Sequence, residues 1–278
     1  MAGVFEIADG FIDTVAKHHP ISATYMGVGG HDHLMNDYSP EAPEAFHAES
    51  QAALRAMEAA EPTNDRERIC KDTFIDEASL SHEQFESREH LRDMNVMFSP
   101  VQSIRSVFDL MPQNSLEAWE NIASRMEKIG GALAGYRETL DIGRAEGLVT
   151  SERQVIGTAE QCEAWAGNGD NSPFFDSLVN ALAASNINND PLSARIENAS
   201  ASVTEAYDQM AEYLRELYLP DATSVDGVGR DRYVLSAKGY LGAEVDPRET
   251  YEWGWEQLEW VRSEMTKTAE HIKPGASI

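Results

Sequence analysis

Residues 116–140 read LEAWENIASRMEKIGGALAGYRETL, and their apolar side chains recur every three or four positions. This spacing is typical of a helix with one buried face, because 3.6 residues complete each turn of an α-helix. The apolar positions are Leu116, Trp119, Ala123, Met126, Ile129, Leu133, Tyr136 and Leu140. The stretch therefore predicts helical structure that packs one side into a protein core.

The same period recurs before and after this stretch. Near the start of the chain it is carried by Val4, Ala8, Phe11 and Val15. Further on, it is carried by Val203, Tyr207, Met210, Leu214 and Leu217, up to Pro220, which lacks the backbone N–H that would continue a helix. Strand-like alternation of apolar and polar residues is hard to find. We predict an all-α fold, an antiparallel multi-helix bundle or array of about nine or ten helices.

The charge balance limits the partners of the protein. Its 278 residues include 48 Asp and Glu but only 22 Lys and Arg, which gives a formal net charge of −26. Such a charge repels nucleic acids and anionic lipids, so we expect neither as a partner. The acidic N-terminus lacks the basic residues of a secretion signal, and no apolar run is long enough for a membrane-spanning helix. We therefore expect a cytoplasmic protein without a membrane partner.

Three stretches contain metal-binding residue types, but none has the spacing of a complete ligand set. Residues 31–33 read HDH, Glu44 and His47 form a single Glu-x-x-His step, and residues 82–86 read HEQFE. Di-iron bundles need the Glu-x-x-His step twice, and Glu86 replaces the second histidine of a zincin motif. No two of the eight histidines are four residues apart. We therefore predict no metal ligand, no catalytic residue and no cofactor in this chain, and interpret 31–33 as a solvated turn and 82–86 as exposed helix surface.

The candidate substrate-binding residues lie in the segment GRDRY at 229–233, and they are Arg230, Arg232 and Tyr233. Two guanidinium groups and a phenol supply hydrogen-bond donors, and the glycine permits a sharp turn. We predict a turn that faces substrate from one wall of a cleft. The alternative is a structural turn with solvated arginines.

The last helix, which begins near Asp246 and Pro247, is apolar on two sides. One side carries a stripe formed by Tyr251, Trp255, Leu258, Val261 and Met265. At 100° per residue, Trp253 and Trp260 lie nearly opposite this stripe. A terminal helix usually keeps one side in water, so we expect the Trp253 and Trp260 side to contact either a missing C-terminal half or a second copy of the chain. The alternative is that both indoles lie at the protein–water interface.

From about Phe5 to His271, the sequence resembles the N-terminal part of the bacterial domain-of-unknown-function 885 family of helical, zincin-like proteins. The resemblance rests on PISATYMG at 20–27, HDHLMNDYSP at 31–40, YLRELYLP at 213–220, GRDRY at 229–233, LGAEVDP at 241–247 and YEWGW at 251–255. The last of these segments is the most specific. Members of the family are longer than this chain.

The similarity of that family to helical metallopeptidases such as carboxypeptidase Taq implies a zinc-dependent hydrolase that acts on peptide-like substrates. The family's zinc motif, of the His-Glu-x-x-x-Gly-His type, lies beyond the region matched here, so zinc is expected only in the longer members. The resemblance thus implies that residues 1–278 are a single helical domain or an incomplete half of a larger metallopeptidase-like domain. That part would form a cleft wall and be inactive alone. The competing hypothesis is a non-catalytic acidic scaffold or binding protein that recognises a cationic partner.

Overall fold

The computed structural model describes residues 3–169 and 172–275, which form helices connected by turns and loops. The α-helices are α1 (Val4–His18), α2 (Pro20–Met26), α3 (Glu41–Ala59), α4 (Asp65–Glu86), α5 (Pro100–Ser106), α6 (Leu116–Met126), α7 (Ile129–Ala145), α8 (Glu152–Trp165), α9 (Asp176–Ala183), α10 (Asp190–Tyr213), α11 (Arg230–Leu241) and α12 (Pro247–Ile272). Short 3₁₀ turns lie at Glu89–Arg92, Val107–Asp109 and Leu219–Asp221. Within the described ranges there is no strand, only an isolated β-bridge between Ser151 and Thr223. The prediction of an all-α fold is confirmed.

The described ranges hold twelve α-helices, which is more than the sequence analysis predicts. Two of the additional helices, α2 and α5, have seven residues each and begin at Pro20 and Pro100. Proline is favoured in the first turn of a helix, where its missing N–H has no partner to lose. Each of these prolines is therefore the first residue of a helix. Similarly, residues 116–140 form α6 and the first part of α7 rather than one helix, with a break at Glu127 and Lys128.

A π-helical turn at Leu214–Tyr218 follows α10. Because of this turn, the core face predicted from the sequence is wrong at its last position. A π-turn accommodates an extra residue, so the side chains beyond its start move round the helix axis. The regular period places Leu217 in the core. In the structure Leu217 is exposed, and Tyr218 is buried instead.

The chain divides into two compact units, Met1–Asp226 and Gly227–Ile278. The prediction of one domain over residues 1–278 stays a prediction, because compactness alone does not establish which segments fold together. In the second unit, α11 and α12 bury none of their side chains.

The main core of the first unit is built around α10. Helices α6, α7, α8 and α9 all pack against it. The buried positions of α10 are Leu192, Ile196, Ala199, Ser200, Val203, Tyr207, Met210, Ala211 and Tyr213. Because these positions are three or four residues apart, they cover one broad face of the helix.

A smaller core lies among α1, α3 and α4, where Val4, Met57 and Ala60 are buried. Helices α3 and α4 form an antiparallel hairpin whose short connection is fixed on both sides. The Nζ atom of Lys71 donates to the carbonyl oxygens of Glu58 and Ala60 at 2.7 and 2.8 Å, which satisfies acceptors at the end of α3. The connecting end of this hairpin is therefore closed by the protein's own hydrogen bonds.

Arg125, on α6, is fully buried and binds α6 to the loop between α2 and α3. Its guanidinium group donates to the carbonyl oxygens of Leu34 at 2.7 Å and His31 at 3.0 Å, and to Oγ1 of Thr24 at 3.0 Å. Burial lowers the pKa of Arg125 to about 10, an effect that Asp32 partly opposes. The group therefore stays charged at neutral pH, and its charge is neutralised mainly by backbone carbonyl dipoles.

These contacts correct the interpretation of residues 31–33 as a solvated turn. The backbone of the HDH segment is tied to α6, because Lys128 also donates to the carbonyl oxygen of His33 at 3.0 Å. The Asp32 carboxylate accepts a hydrogen bond from Thr24 at 2.7 Å. The segment thus has a structural role through its carbonyl groups, which residue types alone do not indicate.

We expect Arg125→Met to lower the free energy of unfolding by about 3 kcal/mol, because it leaves several buried acceptors without a donor. Arg195→Met is the matched control, since the Arg195–Glu127 ion pair is largely solvent-exposed. Its loss should cost at most about 1 kcal/mol. Urea unfolding of both variants measures the difference. Equal losses in the two variants would contradict the structural role assigned to Arg125.

Candidate functional site

Four aromatic rings form a stack at the open end of the α3–α4 hairpin. The ring of His47, from α3, is nearly parallel to the rings of His82 and Phe85, which are three residues apart on α4. The His47 ring centroid is 5.0 Å from that of His82 and 4.0 Å from that of Phe85, with interplanar angles of 14° and 8°. His90, from the Glu89–Arg92 turn, stacks on the other side of Phe85 at 5.0 Å. The stack brings three histidines from separate elements into one small region.

Three groups in this region can bind a metal ion together: His47, His82 and Glu86. One ligand atom from each lies within 4.8 Å of the other two. The closest pair is Nε2 of His47 and Nδ1 of His82, which are 3.3 Å apart. His82 and Glu86 occupy the same face of α4 because they are four residues apart. Imidazole nitrogens and a carboxylate oxygen are common ligands of zinc and related ions.

Local spacing predicts no metal ligand, because no two histidines are one helical turn apart. In this structure a histidine and a glutamate have that spacing, and the third group comes from the neighbouring helix. The part of this site that the sequence does indicate is the pair His82 and Glu86, which are four residues apart in the segment HEQFE. The contribution of His47, 35 positions earlier, depends on the hairpin and cannot be recognised from local spacing.

The electrostatic surroundings favour the neutral form of His47 and of His90. Burial lowers the pKa of His47, repulsion from His82 lowers it further, and Glu86 partly opposes both effects. Burial also lowers the pKa of His90, with a further contribution from Arg88. Neutral imidazole is the form that binds a metal ion or donates and accepts single hydrogen bonds.

A cavity of about 370 Å³ lies beside the stack. It is lined by Pro40, Glu44, Phe85, Glu86, Arg88, His90, Leu91 and Ile142. The Nδ1 atom of His90 is buried and has no hydrogen-bond partner among the described residues. The cavity therefore combines acidic oxygens with an imidazole nitrogen that has an unused hydrogen-bonding position.

Helix α7 fixes the turn that carries His90. A Cβ atom at Gly143 would lie 2.1 Å from the carbonyl oxygen of Leu91, so only glycine permits this approach. The hydroxyl group of Tyr136 donates to the carbonyl oxygen of Asp93 at 2.6 Å. These contacts hold the Glu89–Arg92 turn against α7, and thereby set the position of the fourth ring.

A second candidate region lies in the Gly227–Ile278 unit, where an open groove of about 560 Å³ separates the starts of α11 and α12. Two of the predicted substrate-binding residues, Arg230 and Tyr233, line it. Arg232, the third, does not. The other lining residues are Gly227, Val228, Gly229, Pro247, Arg248 and Tyr251. Gly229 has a φ of +83°, which is a conformation that favours glycine at the turn before Arg230.

Asp246 links the two helices beside this groove. Its carboxylate accepts from Arg230 at 2.9 Å, and from the backbone N–H groups of Arg248 and Glu249 at 2.8 and 3.1 Å. The Arg230 guanidinium is the main reason that the pKa of Asp246 lies below its usual value. Asp246 is thus both the N-cap of α12, at the helix start that the sequence predicts, and the ion-pair partner of Arg230.

Both apolar sides of α12 are uncovered. Trp253 is 59% exposed and Trp260 is 60% exposed. Trp255, on the opposite stripe, is 52% exposed. None of the 26 residues of α12 is buried. Scattered exposed apolar residues are normal on proteins, but three indoles on one helix form an extended apolar surface.

An all-α chain with one well-packed unit and an uncovered terminal helix matches the fold of a larger solved protein. The crystal structure of the putative lipoprotein from Colwellia psychrerythraea is similar to this chain with a TM-score of 0.77 and 14% sequence identity. The match covers 95% of this chain and 50% of that one, so this chain spans about half the length of that structure. At this level of identity, the likeness shows the shared helical fold alone.

The sequence profile of one family, described as bacterial protein of unknown function (DUF885), matches residues 20–277. The chain belongs to this family. The family resemblance noted from the sequence is thereby confirmed, whereas its metallopeptidase implication and the N-terminal placement stay predictions. No curated protein matches the chain. Among the described helices, none has the length and apolar character needed to cross a membrane.

The lowered histidine pKa values predict a loss of stability in mild acid. The pKa values of His19, His47 and His90 lie below the ordinary 6.5 in the folded protein, so the unfolded chain binds more protons as the pH falls. Their contribution to stability is fully present above 6.5 and decreases as the pH falls from about 7 to about 5. Urea unfolding at both pH values should show a smaller pH effect in His47→Gln than in the natural chain.

His33→Gln serves as the control, because the His33 side chain is exposed and only its backbone carbonyl is hydrogen-bonded to Lys128. This variant should keep the full pH effect. An unchanged pH effect in His47→Gln would contradict the assignment of that histidine as a neutral, desolvated group.

Proposed function

We propose that this chain forms one wall of the substrate cleft in a zinc-dependent, peptidase-like hydrolase. In this proposal, the catalytic zinc ligands belong to a further polypeptide segment that packs against α12. The observation that carries the proposal is the exposure of both apolar sides of α12, which leaves Trp253, Trp255 and Trp260 without cover. Covering them would contribute roughly 2 kcal/mol for each indole.

The comparison with the Colwellia protein supports a covering segment of this kind. That protein has the fold of this chain and about as much additional polypeptide again. Additional chain of that length is sufficient to cover a helix of 26 residues on two sides. A second copy of this chain is the other possible occupant, and the experiment below distinguishes the two.

The groove between α11 and α12 supplies the chemistry of substrate binding. In a chain with a net charge of −26, Arg230 and Arg248 place two cationic groups in one groove, beside the aromatic rings of Tyr233 and Tyr251. Guanidinium groups bind carboxylates with two parallel hydrogen bonds. An incoming carboxylate would share Arg230 with Asp246. The groove therefore suits the carboxylate of a peptide-like substrate, with apolar side chains on the tyrosine rings.

No catalytic step is assigned to the residues of this chain, because the zinc motif that the resemblance implies is not among them. Their proposed role is to bind the substrate and to orient it. A zinc ion held by the further segment would polarise the scissile carbonyl group and lower the pKa of a bound water. The competing function, a non-catalytic acidic binding protein, is favoured by the net charge of −26 and would require no further segment.

The test is to co-express this chain with the remaining half of a longer family member, and to assay a peptide library with zinc. We expect a 1:1 complex, and hydrolysis by the complex but not by either part. The double variant Trp253→Gln with Trp260→Gln should weaken association at least about 10-fold, because two indoles lose their burial. Phe98→Gln is the matched control, since Phe98 is 75% exposed but belongs to the Met1–Asp226 unit.

In the active complex, Arg248→Ala should raise KM for peptides with a free carboxylate and leave kcat nearly unchanged, because the residue is assigned to binding alone. Peptidase activity of this chain alone would overturn the proposal. The two parts could instead fail to associate, with this chain either self-associating through α12 or staying monomeric. Either result would favour the non-catalytic alternative.

A further inference from the structure

We propose that His47, His82 and Glu86 form a binding site for a divalent transition-metal cation of the Zn²⁺ type, which closes the open end of the α3–α4 hairpin. This site is separate from the catalytic zinc of the proposed hydrolase. The catalytic ion would be held by residues outside this chain, whereas all three ligands proposed here lie in the described part of its first unit.

The distance between the two imidazole nitrogens suits a shared zinc ion. Nε2 of His47 and Nδ1 of His82 are 3.3 Å apart. Two nitrogens that each bond a tetrahedral zinc ion at about 2.0–2.1 Å lie about 3.3 Å from each other, which follows from the tetrahedral angle. One carboxylate oxygen of Glu86 lies within 4.8 Å of one ring nitrogen of each histidine. Glu86 is exposed and is the last residue of α4, so a small side-chain movement brings its oxygen into bonding range.

The chemistry of the three ligands also suits an ion of the zinc type. Two histidines and one glutamate form a set that binds zinc while leaving a position for water or another ligand. Magnesium and calcium prefer sites made wholly of oxygen atoms, so a site with two imidazoles selects against them. The cavity beside the stack is also lined by Glu86, and it provides space for the remaining coordination position.

The site lies at the open end of the α3–α4 hairpin, opposite the connection between the two helices. The connecting end of the hairpin is closed by the hydrogen bonds of Lys71 to Glu58 and Ala60. At the opposite end, His47 and His82 join α3 to α4 across 35 positions of sequence. The apolar cluster between these helices is small, because within the described residues its fully buried members are Val4, Met57 and Ala60. A cation bound to α3 and α4 together would favour the folded hairpin, because the unfolded chain holds the ligands far apart.

The experiment uses the 278-residue chain alone, after chelator treatment and with its helical content verified by circular dichroism. Calorimetric titration with Zn²⁺ should show one saturable equivalent, and Co²⁺ should give the visible absorption of a low-symmetry, four- or five-coordinate site. Mg²⁺ should not bind. Zn²⁺ should also raise the Tm of the natural chain. Because no further segment is present, the result is independent of the proposed hydrolase function.

The variants His47→Ala, His82→Ala and Glu86→Gln should each weaken Zn²⁺ binding at least about 10-fold, since each removes a direct ligand. Glu86→Gln is the most conservative of the three, because its side chain is exposed and keeps its size. His33→Ala is the matched control, because His33 is exposed and lies outside the site, and it should keep the affinity of the natural chain.

Two results would overturn the proposal. The first is the absence of saturable Zn²⁺ binding to the folded, chelator-treated chain, which would leave His47 and His82 as a hydrogen-bonded pair only. The second is binding that persists unchanged in His47→Ala and Glu86→Gln, which would place the ion on other residues.

Discussion

The burial of one face of α10 is the interaction on which the Met1–Asp226 unit depends. Tyr207 lies near the middle of that face and is completely buried. Its ring packs edge-on against Trp165 of α8 and nearly parallel to Phe175, the residue before α9, at centroid distances of 5.4 and 6.0 Å. Its hydroxyl group donates to the carbonyl oxygen of Val101 in α5 at 3.0 Å. One side chain thus fixes three neighbouring elements, and the phenol is buried with its polar atom satisfied.

The same requirement, that an apolar helix face be covered, is met in one unit and not in the other. Helix α12 is longer than α10 and carries three of the five tryptophans of the chain, yet none of its residues is buried. The further polypeptide that we propose would supply this cover, and it would give the difference between the two units a physical reason. The groove beside Arg230 lies at the start of the same helix, so the surface proposed for packing and the site proposed for substrate are continuous along α12.

Local patterns in the sequence predict the helical class, the start of α12 near Asp246 and the second apolar side formed by Trp253 and Trp260, because each depends on spacing within one segment. They do not predict the π-turn after α10, which changes the register of the core face from Leu217 to Tyr218. The role of Arg125 is also hidden, since its acceptors lie about 90 positions earlier in the chain. The histidine stack is hidden for the same reason. Long-range meetings of this kind depend on how helices pack, and spacing within a segment carries no information about them.

Native-state hydrogen exchange of this chain alone tests the central claim most directly, because it measures the opening free energy of each helix separately. We expect strong protection of backbone amides in α10, at the level of global unfolding, and little protection in α12 beyond that of an isolated helix. We also expect α12 to gain protection when the proposed covering segment is added. Equal protection of α12 and α10 in the chain alone would show instead that α12 needs no further polypeptide for its stability.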